Sequence, residues 1–268
     1  MQNNLLALTP CCVDYYPQIN KSFIGGNSLN VASMWHRIDP SLNISVISCL
    51  GNDDNGKKII DYLSEIGIDY SRVYIKEGKT ATNKLIVDEN GERFGIEGAW
   101  EGGVYETFLL SDDDWKWVAQ QEIVAMPGNN PNFQTMINKK HKNQLLSVDY
   151  LDIENNIPFN DTFEFTDIAF IAARPSLLPK YQKLAFAKNK LVVVTLGVEG
   201  SHAYKNGETY FQPALPVANV IDTTGCGDAY QAAFALMYYR SNDIQKSMFA
   251  GAKAASEILQ YWGGVGKF

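Results

Sequence analysis

Short runs of β-branched and other apolar residues alternate along this chain with segments in which apolar residues recur at helical spacing. The runs typical of strands cover residues 5–8, 44–50, 122–125, 144–148, 168–172 and 191–196. The segments typical of helices cover residues 27–37, 55–66, 112–119, 176–187, 229–240 and 244–261. This alternation is typical of a mainly parallel sheet covered by helices on both faces. The sequence therefore predicts an α/β fold in which ligands bind beyond the carboxyl ends of the strands.

Two segments interrupt the alternation. Residues 18–23 and 81–96 have the pattern of short strands with turns, and Glu89-Asn90-Gly91 is a hairpin turn signal. We expect these segments to form a small β flap outside the main sheet. No repeat or long linker divides the rest, and 268 residues of which 46% are hydrophobic can bury one large core. We therefore expect a single domain over residues 1–268.

The charge and the cysteines exclude several classes of protein. A net charge of −7 disfavours nucleic acids and anionic membranes as partners. The sequence has no apolar run of about 18 residues, so no membrane span is expected. The cysteines lack the spacing of a disulfide framework or a metal site, and they predict reduced thiols in a cytoplasmic protein. They are Cys11, Cys12, Cys49 and Cys226.

The segment most informative about chemistry reads DTTGCGD over residues 222–228. Small residues at Gly225, Cys226 and Gly227 would let successive N–H groups approach a ligand at the start of a helix, where unpaired donors attract anions. Asp228 would lie in the first turn, beside a bound phosphate, and could accept a proton from an alcohol. The purely structural alternative is a capped helix start with an acidic first turn.

A second polar segment precedes the first predicted helix and reads GGNSLNVA over residues 25–32. Asn27 and Asn30 lie three residues apart, on one helix face, and their amides offer donors and acceptors to a polyol. The alternative is that Asn27 is the helix N-cap and Asn30 is solvated. Asp14, which we place at the end of the first strand, could accept hydrogen bonds from neighbouring sugar hydroxyls.

Three further motifs each have a structural interpretation beside a functional one. Thr195, Gly197 and Gly200 follow a buried-looking strand and could let backbone approach nucleotide phosphates, although an ordinary tight turn has the same pattern. Residues 51–58, GNDDNGKK, nearly match a phosphate-binding P-loop but end in lysine where a Ser or Thr should bind magnesium, so we predict a polar helix entry. Residues 112–114 are three aspartates after Ser111, and they predict a capped helix start rather than paired catalytic carboxylates.

The two signatures at 25–32 and 222–228, in this order and at this separation, resemble those of the ribokinase-like (PfkB) family of carbohydrate kinases. The resemblance covers nearly the whole chain and includes residues 12–21, 51–56, 88–95, 194–200 and 258–261. It implies the ribokinase-like three-layer fold, with a β lid formed by about residues 15–25 and 80–104 that mediates homodimers in many members. It also implies a phosphotransferase that uses ATP and Mg²⁺.

The resemblance further implies a role for each matching residue. Asp228 matches the catalytic base, and Gly225, Cys226 and Gly227 match the anion hole for the γ-phosphate. The substrate-binding positions are matched by Asp14, Gly25, Gly26, Asn27 and Asn30, to which we add Arg93 for the substrate's amine side. The ATP-binding positions are matched by Thr195, Gly197, Gly200, Gly225 and Gly227. Asp222 and Thr224 match positions that hold a monovalent cation such as K⁺ in some members.

Within the family the sequence is most similar to kinases of fructosamines, which implies transfer to the 6-hydroxyl of a compound such as fructosyl-lysine. Fructose, ribose and 2-keto-3-deoxygluconate remain alternative substrates. One departure concerns magnesium: the family has an Asn-x-x-Glu element where residues 171–177 read IAARPSL. A binding protein with little catalytic activity therefore also remains open. A nicotinamide dehydrogenase is disfavoured because no Gly-x-Gly-x-x-Gly follows the first strand.

Overall fold

The fold consists of a large and a small β-sheet with helices around the large one, and a computed structural model describes residues 3–152 and 159–266. The strands are β1 (Asn4–Leu8), β2 (Cys12–Tyr16), β3 (Lys21–Gly25), β4 (Asn43–Gly51), β5 (Asp69–Lys76), β6 (Thr82–Val87), β7 (Arg93–Gly95), β8 (Ile123–Pro127), β9 (Leu145–Asp152), β10 (Ile168–Ala172), β11 (Leu191–Thr195), β12 (Ser201–Lys205) and β13 (Glu208–Gln212). The α-helices are α1 (Asn27–Ile38), α2 (Asp54–Glu65), α3 (Asp112–Val118), α4 (Phe133–Lys139), α5 (Phe159–Thr162), α6 (Leu178–Lys188), α7 (Cys226–Ser241) and α8 (Ile244–Ile258).

The large sheet has the strand order β13-β12-β11-β10-β9-β8-β1-β4-β5. Pairing is parallel from β11 to β5, and the β11–β12 and β12–β13 pairs at one edge are antiparallel. The chain leaves β1 towards β4 on one side and later returns to β8 on the other. In such sheets a crevice for ligands opens where the winding reverses, beyond the carboxyl ends of the strands. Here that point lies between β1 and β8.

Two layers of helices enclose the large sheet, so the predicted three-layer α/β fold is confirmed. Helices α1, α2, α7 and α8 share one core cluster with one face of the sheet, around the buried side chains of Trp35 and Phe234. Helices α3, α4, α5 and α6 share the other cluster, around Tyr150 and Phe163. The strands are apolar on both faces because both faces are covered.

The small sheet has the order β3-β2-β6-β7 and comes from the two segments that interrupt the helix–strand alternation. Strands β2 and β6 pair in parallel, while β3 and β7 pair antiparallel at the two edges. The Val13 N–H donates to the Ala81 carbonyl at 3.0 Å beside the parallel pair. The small sheet follows β1 directly in sequence, so it lies beyond the carboxyl edge of the large sheet.

Side-chain caps explain where several helices begin. Asp53 accepts from the Gly56 N–H at the start of α2, so the P-loop-like segment is a polar helix entry, as predicted. Ser111 and Asp114 form a reciprocal capping box at the start of α3. Asp114 also accepts from the Arg72 guanidinium at 2.7 Å. The aspartates at 112–114 therefore have a structural role, as predicted.

Six of the strands and α-helices were not predicted from the sequence: β2, β5, α4, α5, β12 and β13. Strand β5 is half-exposed and carries polar residues on a large part of its length, which hides the strand pattern. The hairpin of β12 and β13 turns at Asn206 and Gly207, both with positive φ. An Asn-Gly pair between short strands is a strong hairpin signal, and it was the available clue.

Candidate active site

The start of α7 is a tight junction between the segment 222–225 and the C-terminal residues. Gly225 is the helix N-cap, with φ at 77°, and a Cβ there would lie 2.4 Å from the Gly264 Cα. Only glycine fits this position without strain. The helix begins at Cys226, three residues before the predicted start at 229, and Asp228 lies in its first turn, as predicted. A Cβ at Gly227 would meet nothing within 4 Å, so this side of the helix start is open.

Two amides from α1 hold the Asp228 carboxylate. Asn27 Nδ2 donates to Asp228 Oδ1 at 2.6 Å, and Asn30 Nδ2 donates to Asp228 Oδ2 at 2.7 Å. The N-cap of α1 is Gly26, without a side-chain bond, so the alternative in which Asn27 caps the helix is wrong. The alternative in which Asn30 is solvated is also wrong, because Asn30 is buried. The structure thus joins the two sequence signatures at one carboxylate.

The Asp228 carboxyl has an unusual acidity for an aspartate. Burial raises its pKa from 3.8 to about 6, while the bonds from Asn30 and Asn27 and the charge of Arg93 oppose the rise. Desolvation disfavours the ionised form, whereas donors and cations favour it. The group is therefore ionised near neutral pH but far more basic than an exposed aspartate. That combination suits a general base.

Asp14 lies in the middle of β2 in the small sheet, so its predicted position at the end of the first strand of the main sheet is wrong. Its side chain is only 4% exposed, and burial raises its pKa to about 6. A Cβ at Gly25 would lie 2.4 Å from Asp14 Oδ2, which explains the glycine opposite this carboxylate. The negative charge of Asp228 also raises the pKa of Asp14.

Arg93 supplies positive charge from the small sheet. Its guanidinium lowers the pKa of Asp14, of Asp149 and of Asp228, so it acts on all three carboxylates. Its backbone N–H donates to Thr223 Oγ1 at 2.9 Å. Within the described ranges, no ion pair engages the guanidinium, which leaves it available to an anionic ligand.

The β6–β7 turn sits directly on the segment that leads to the anion loop. The Thr223 N–H donates to the Gly91 carbonyl at 2.9 Å. A Cβ at Gly91 would lie 2.6 Å from the Val220 side chain. Hydrogen bonds and close packing therefore fasten the β6–β7 turn of the small sheet to residues 220–223.

Asp149 is a buried carboxylate that interacts electrostatically with Asp228 and Arg93. The sequence analysis did not predict it as a site residue. It lies near the carboxyl end of β9, where Leu151 N–H donates to its Oδ1 at 2.8 Å. Burial, followed by the charge of Asp228, raises its pKa to about 7. An aspartate near the end of a buried parallel strand was the available signal, because such ends form the ligand edge of the sheet.

The Asp222 carboxylate connects three segments of the chain through hydrogen bonds. It is fully buried and accepts from the Tyr16 hydroxyl at 2.7 Å, from the Gly263 N–H at 2.9 Å and from the Thr224 N–H at 2.8 Å. The Thr224 hydroxyl donates to Asp222 Oδ1, the oxygen that also accepts from the Thr224 N–H, at 2.7 Å. These bonds connect the small sheet, the anion loop and the C-terminal residues. The Asp222 side chain is thus fully engaged, and a cation there would have to bind main-chain carbonyls.

The predicted nucleotide loop follows β11. Thr195 ends the strand, and Gly197 and Gly200 take positive φ values of 59° and 90° in the turn that follows. Ser201, the next residue, has its Oγ 2.8 Å from the hydroxyl of Tyr230 on α7. Tyr230 lies two residues after Asp228, so this contact ties the loop to the helix that carries the predicted base.

The remaining chemistry of the site is limited. Burial raises the pKa of the Cys226 thiol to about 12, so the thiol stays neutral and is a poor nucleophile. No group of three or more His, Cys, Asp or Glu side chains within residues 3–152 and 159–266 could hold a metal ion. No helix in the part of the chain that the structure describes is long and apolar enough to cross a membrane.

Known proteins resemble this chain over nearly its whole length. The family model "pfkB family carbohydrate kinase" matches residues 12–266. The chain is 32% identical to the fructoselysine 6-kinase of Shigella flexneri, with 94% of this chain and 95% of that protein aligned. Such coverage means that the resemblance extends over the whole arrangement of sheets and not only over the two signatures.

Solved structures of kinases with different named substrates share the fold of this chain. The adenosine kinase of Sinorhizobium meliloti matches with a TM-score of 0.84 at 18% identity, covering 98% of this chain and 96% of that one. The ribokinase of Arabidopsis thaliana, complexed with ribose and ATP, matches with a TM-score of 0.83 at 22% identity, covering 99% and 95%. At these identities the likeness establishes the ribokinase-like fold alone, since this fold serves more than one substrate.

Proposed function

Since this chain belongs to the pfkB family of carbohydrate kinases, and is a phosphotransferase with an alcohol as acceptor, we propose that it phosphorylates the 6-hydroxyl of a fructosamine. The substrate we propose is fructosyl-lysine, with ATP as the phosphoryl donor. The relative that is 32% identical over nearly the full length supports this choice of sugar. The observation that carries the chemistry is the Asp228 carboxylate, held by two amides at the open start of α7.

In the proposed reaction Asp228 accepts the proton of the attacking hydroxyl. The sugar oxygen forms a bond to the γ-phosphorus while the bond to the β,γ-bridging oxygen breaks, and ADP leaves with that electron pair. Phosphoryl transfer requires mainly positioning and stabilisation of charge on the transferred group. The N–H groups of Gly225, Cys226 and Gly227 at the helix start, together with the Arg93 guanidinium, are suited to that charge.

Buried acceptors with no partner suit the hydroxyls of a sugar. The Oδ1 atoms of Asn27 and Asn30 are buried and have no hydrogen-bond partner within the described residues. A buried unpaired oxygen is costly, and a bound polyol would supply the missing donors. We place the sugar against these oxygens and Asp14, with Gly25 and Gly26 permitting its close approach.

The nucleotide is proposed to lie along Thr195, Gly197 and Gly200, beyond the carboxyl end of β11. Its terminal phosphate then reaches the start of α7, which the Ser201–Tyr230 contact ties to this loop. We propose that the small sheet, fastened to residues 220–223, covers the transfer site and excludes water, which limits hydrolysis of ATP. We place the activity in the cytoplasm, where ATP is available and thiols remain reduced.

Magnesium, which the family implies, finds few protein ligands here. The strand and turn at 171–177 lack the carboxylate that the family uses, and no three-ligand cluster exists among the described residues. Mg²⁺ retains several waters and binds readily through phosphate oxygens. We therefore propose that it enters with ATP, held by phosphate oxygens and water, and neutralises phosphate charge. For K⁺ we retain only the carbonyl oxygens of Asp222 and Thr224, because the Asp222 carboxylate is already saturated.

The substrate proposal is tested by ADP release from ATP with fructosyl-lysine, fructose, ribose and 2-keto-3-deoxygluconate, followed by mass analysis to locate the added phosphate. We expect the highest kcat/KM with fructosyl-lysine and phosphate on its 6-hydroxyl. A preference for a plain sugar would contradict the fructosamine but not the kinase. Thermal stabilisation by ATP and sugar, without ADP formation from any of them, would instead favour a binding protein.

We also propose that the outer face of the small sheet joins two copies of the chain. Ile86 on β6 and Phe94 on β7 are cross-strand partners, so they lie on one face, and they are 45% and 52% exposed. Paired exposed apolar side chains are typical of interfaces.

The dimer is tested by the Phe94→Glu variant, which should convert a dimer into a 29.9-kDa monomer in sedimentation equilibrium. Phe211→Glu, at a residue 50% exposed on β13 of the large sheet, should leave the mass unchanged; a monomeric unaltered protein would contradict the proposal.

A further inference from the structure

Gln231 is a fully buried amide that no step of the proposed reaction uses. It lies on α7, three residues after Asp228 and therefore on the same helix face, and its exposed fraction is 0%. Its Nε2 donates to the Ser147 carbonyl at 3.2 Å and to Ser147 Oγ at 3.1 Å. Burying an amide between a helix and a sheet is costly unless both ends are satisfied. The hydrogen bonds of Gln231, and not packing alone, therefore account for a polar side chain at this buried position.

The contacts of Gln231 have a fixed direction. A backbone carbonyl can only accept, so the Ser147 carbonyl forces Gln231 to present its NH₂ group towards β9. Its Oε1 consequently points the other way, 3.5 Å from Asn27 Nδ2. The same Asn27 Nδ2 donates to Asp228 Oδ1 at 2.6 Å. The chain of contacts runs from a carbonyl in the central sheet to the predicted base.

We propose that Gln231 is a positioning residue: through this relay it holds the Asn27 amide so that its NH₂ group faces Asp228 and its oxygen remains for a substrate hydroxyl. The inference rests on the proposed function, in which Asp228 is the base. Without Gln231 the Asn27 amide can turn over. Its oxygen would then oppose the Asp228 carboxylate, an arrangement that only a protonated carboxyl satisfies.

Other charged groups act on Asp228, and the relay must be separated from them. They are Asp14 on β2, Arg93 on β7 and Asp149 on β9. The second amide, Asn30, donates to Asp228 independently of Gln231. None of these groups is altered by a change at Gln231, so a change in the titration of Asp228 reports on the relay.

The test is the Gln231→Met variant, which keeps the length of the side chain but removes its hydrogen bonds to Ser147 and Asn27. We expect the acidic limb of kcat/KM against pH, near pH 6 in the unaltered enzyme, to move up by about one pH unit. At pH 6 we therefore expect kcat/KM to fall about 3–10-fold, whereas at pH 7.5 it should change by less than about 2-fold, with KM for ATP unchanged. A limb that stays in place, with only a lower melting temperature, would show a structural tie between α7 and β9 and overturn the proposal.

Ser147→Ala is the matched control. It removes the hydroxyl but keeps the carbonyl that sets the direction of the relay, so the limb should not move. An equal shift in Ser147→Ala and Gln231→Met would attribute the effect to packing and contradict the proposal.

If Gln231→Met does not fold, the relay can be observed in the unaltered protein. The side-chain NH₂ resonances of Asn27 and Gln231 should shift with the midpoint of the Asp228 carboxyl, measured by NMR between pH 5 and 8. A Gln231 signal that stays constant across that titration would overturn the proposal. Failure of the proposed function has a different signature: full turnover in Asp228→Asn.

Discussion

Replacing Asp228 by asparagine is expected to lower kcat by about 10²–10⁴-fold, because the variant has no group to accept the proton of the attacking hydroxyl. The fold should survive. The amide is nearly isosteric with the carboxylate, and the folded-state pKa of about 6 lies above the ordinary 3.8. Such a group favours the folded state most at low pH and loses that contribution as pH rises through 6. At pH 8 the removal of a buried charge should offset the contact between the new NH₂ group and the Asn27 or Asn30 amide, so the variant should melt close to the unaltered protein.

The pH dependence of the unaltered enzyme supplies an independent readout. Protonated Asp228 cannot act as a base, so kcat/KM should fall as pH decreases below about 6. Asp54→Asn is the matched control, since Asp54 is the acidic residue in the first turn of α2 and belongs to no site. Its turnover should be ordinary. Near-normal turnover in Asp228→Asn, measured by coupled ADP release, would exclude Asp228 as the base.

The second large effect is expected at Gly225. In Gly225→Ala a side chain must adopt φ near 77°, and its Cβ would lie 2.4 Å from the Gly264 Cα. Left-handed backbone costs an L-residue about 1–2 kcal/mol, and the contact with backbone adds to that. We expect a loss of roughly 2–4 kcal/mol in the free energy of unfolding. Turnover should fall by about 10²-fold or more, because the loop that aims the N–H groups must shift.

Gly227→Ala, two residues along the same helix start, separates stability from function. Its Cβ would meet no protein atom within 4 Å, so the free energy of unfolding should change by less than about 1 kcal/mol. The methyl group would nevertheless occupy the open side where the γ-phosphate is proposed to bind. We expect turnover to fall about 10–100-fold. Full turnover in Gly227→Ala, beside a stable fold, would contradict the anion hole.

Local sequence patterns were sufficient for most of the architecture. Apolar runs and helical periodicity predicted the parallel sheet and its flanking helices, because both patterns reflect burial of neighbouring residues. Ser111 and the aspartates after it predicted a capped helix for the same local reason. Strand β5 was missed because an edge strand buries only part of its surface, and Asp14 was misplaced because the short β2 gave no strand signal of its own.

The chemistry of the site depends on contacts that no local pattern contains. Asn27 and Asp228 are 201 residues apart, and so are brought together only when α1 and α7 pack on the same face of the sheet. Asp149, Tyr16 and Gln231 likewise acquire their partners from distant segments. The sequence by itself determined the fold class and the family and predicted the base, since these depend on local spacing and motif order. Only the tertiary structure decided the acidity of Asp228 and the direction of its hydrogen bonds, because burial and donor geometry arise when the segments are assembled.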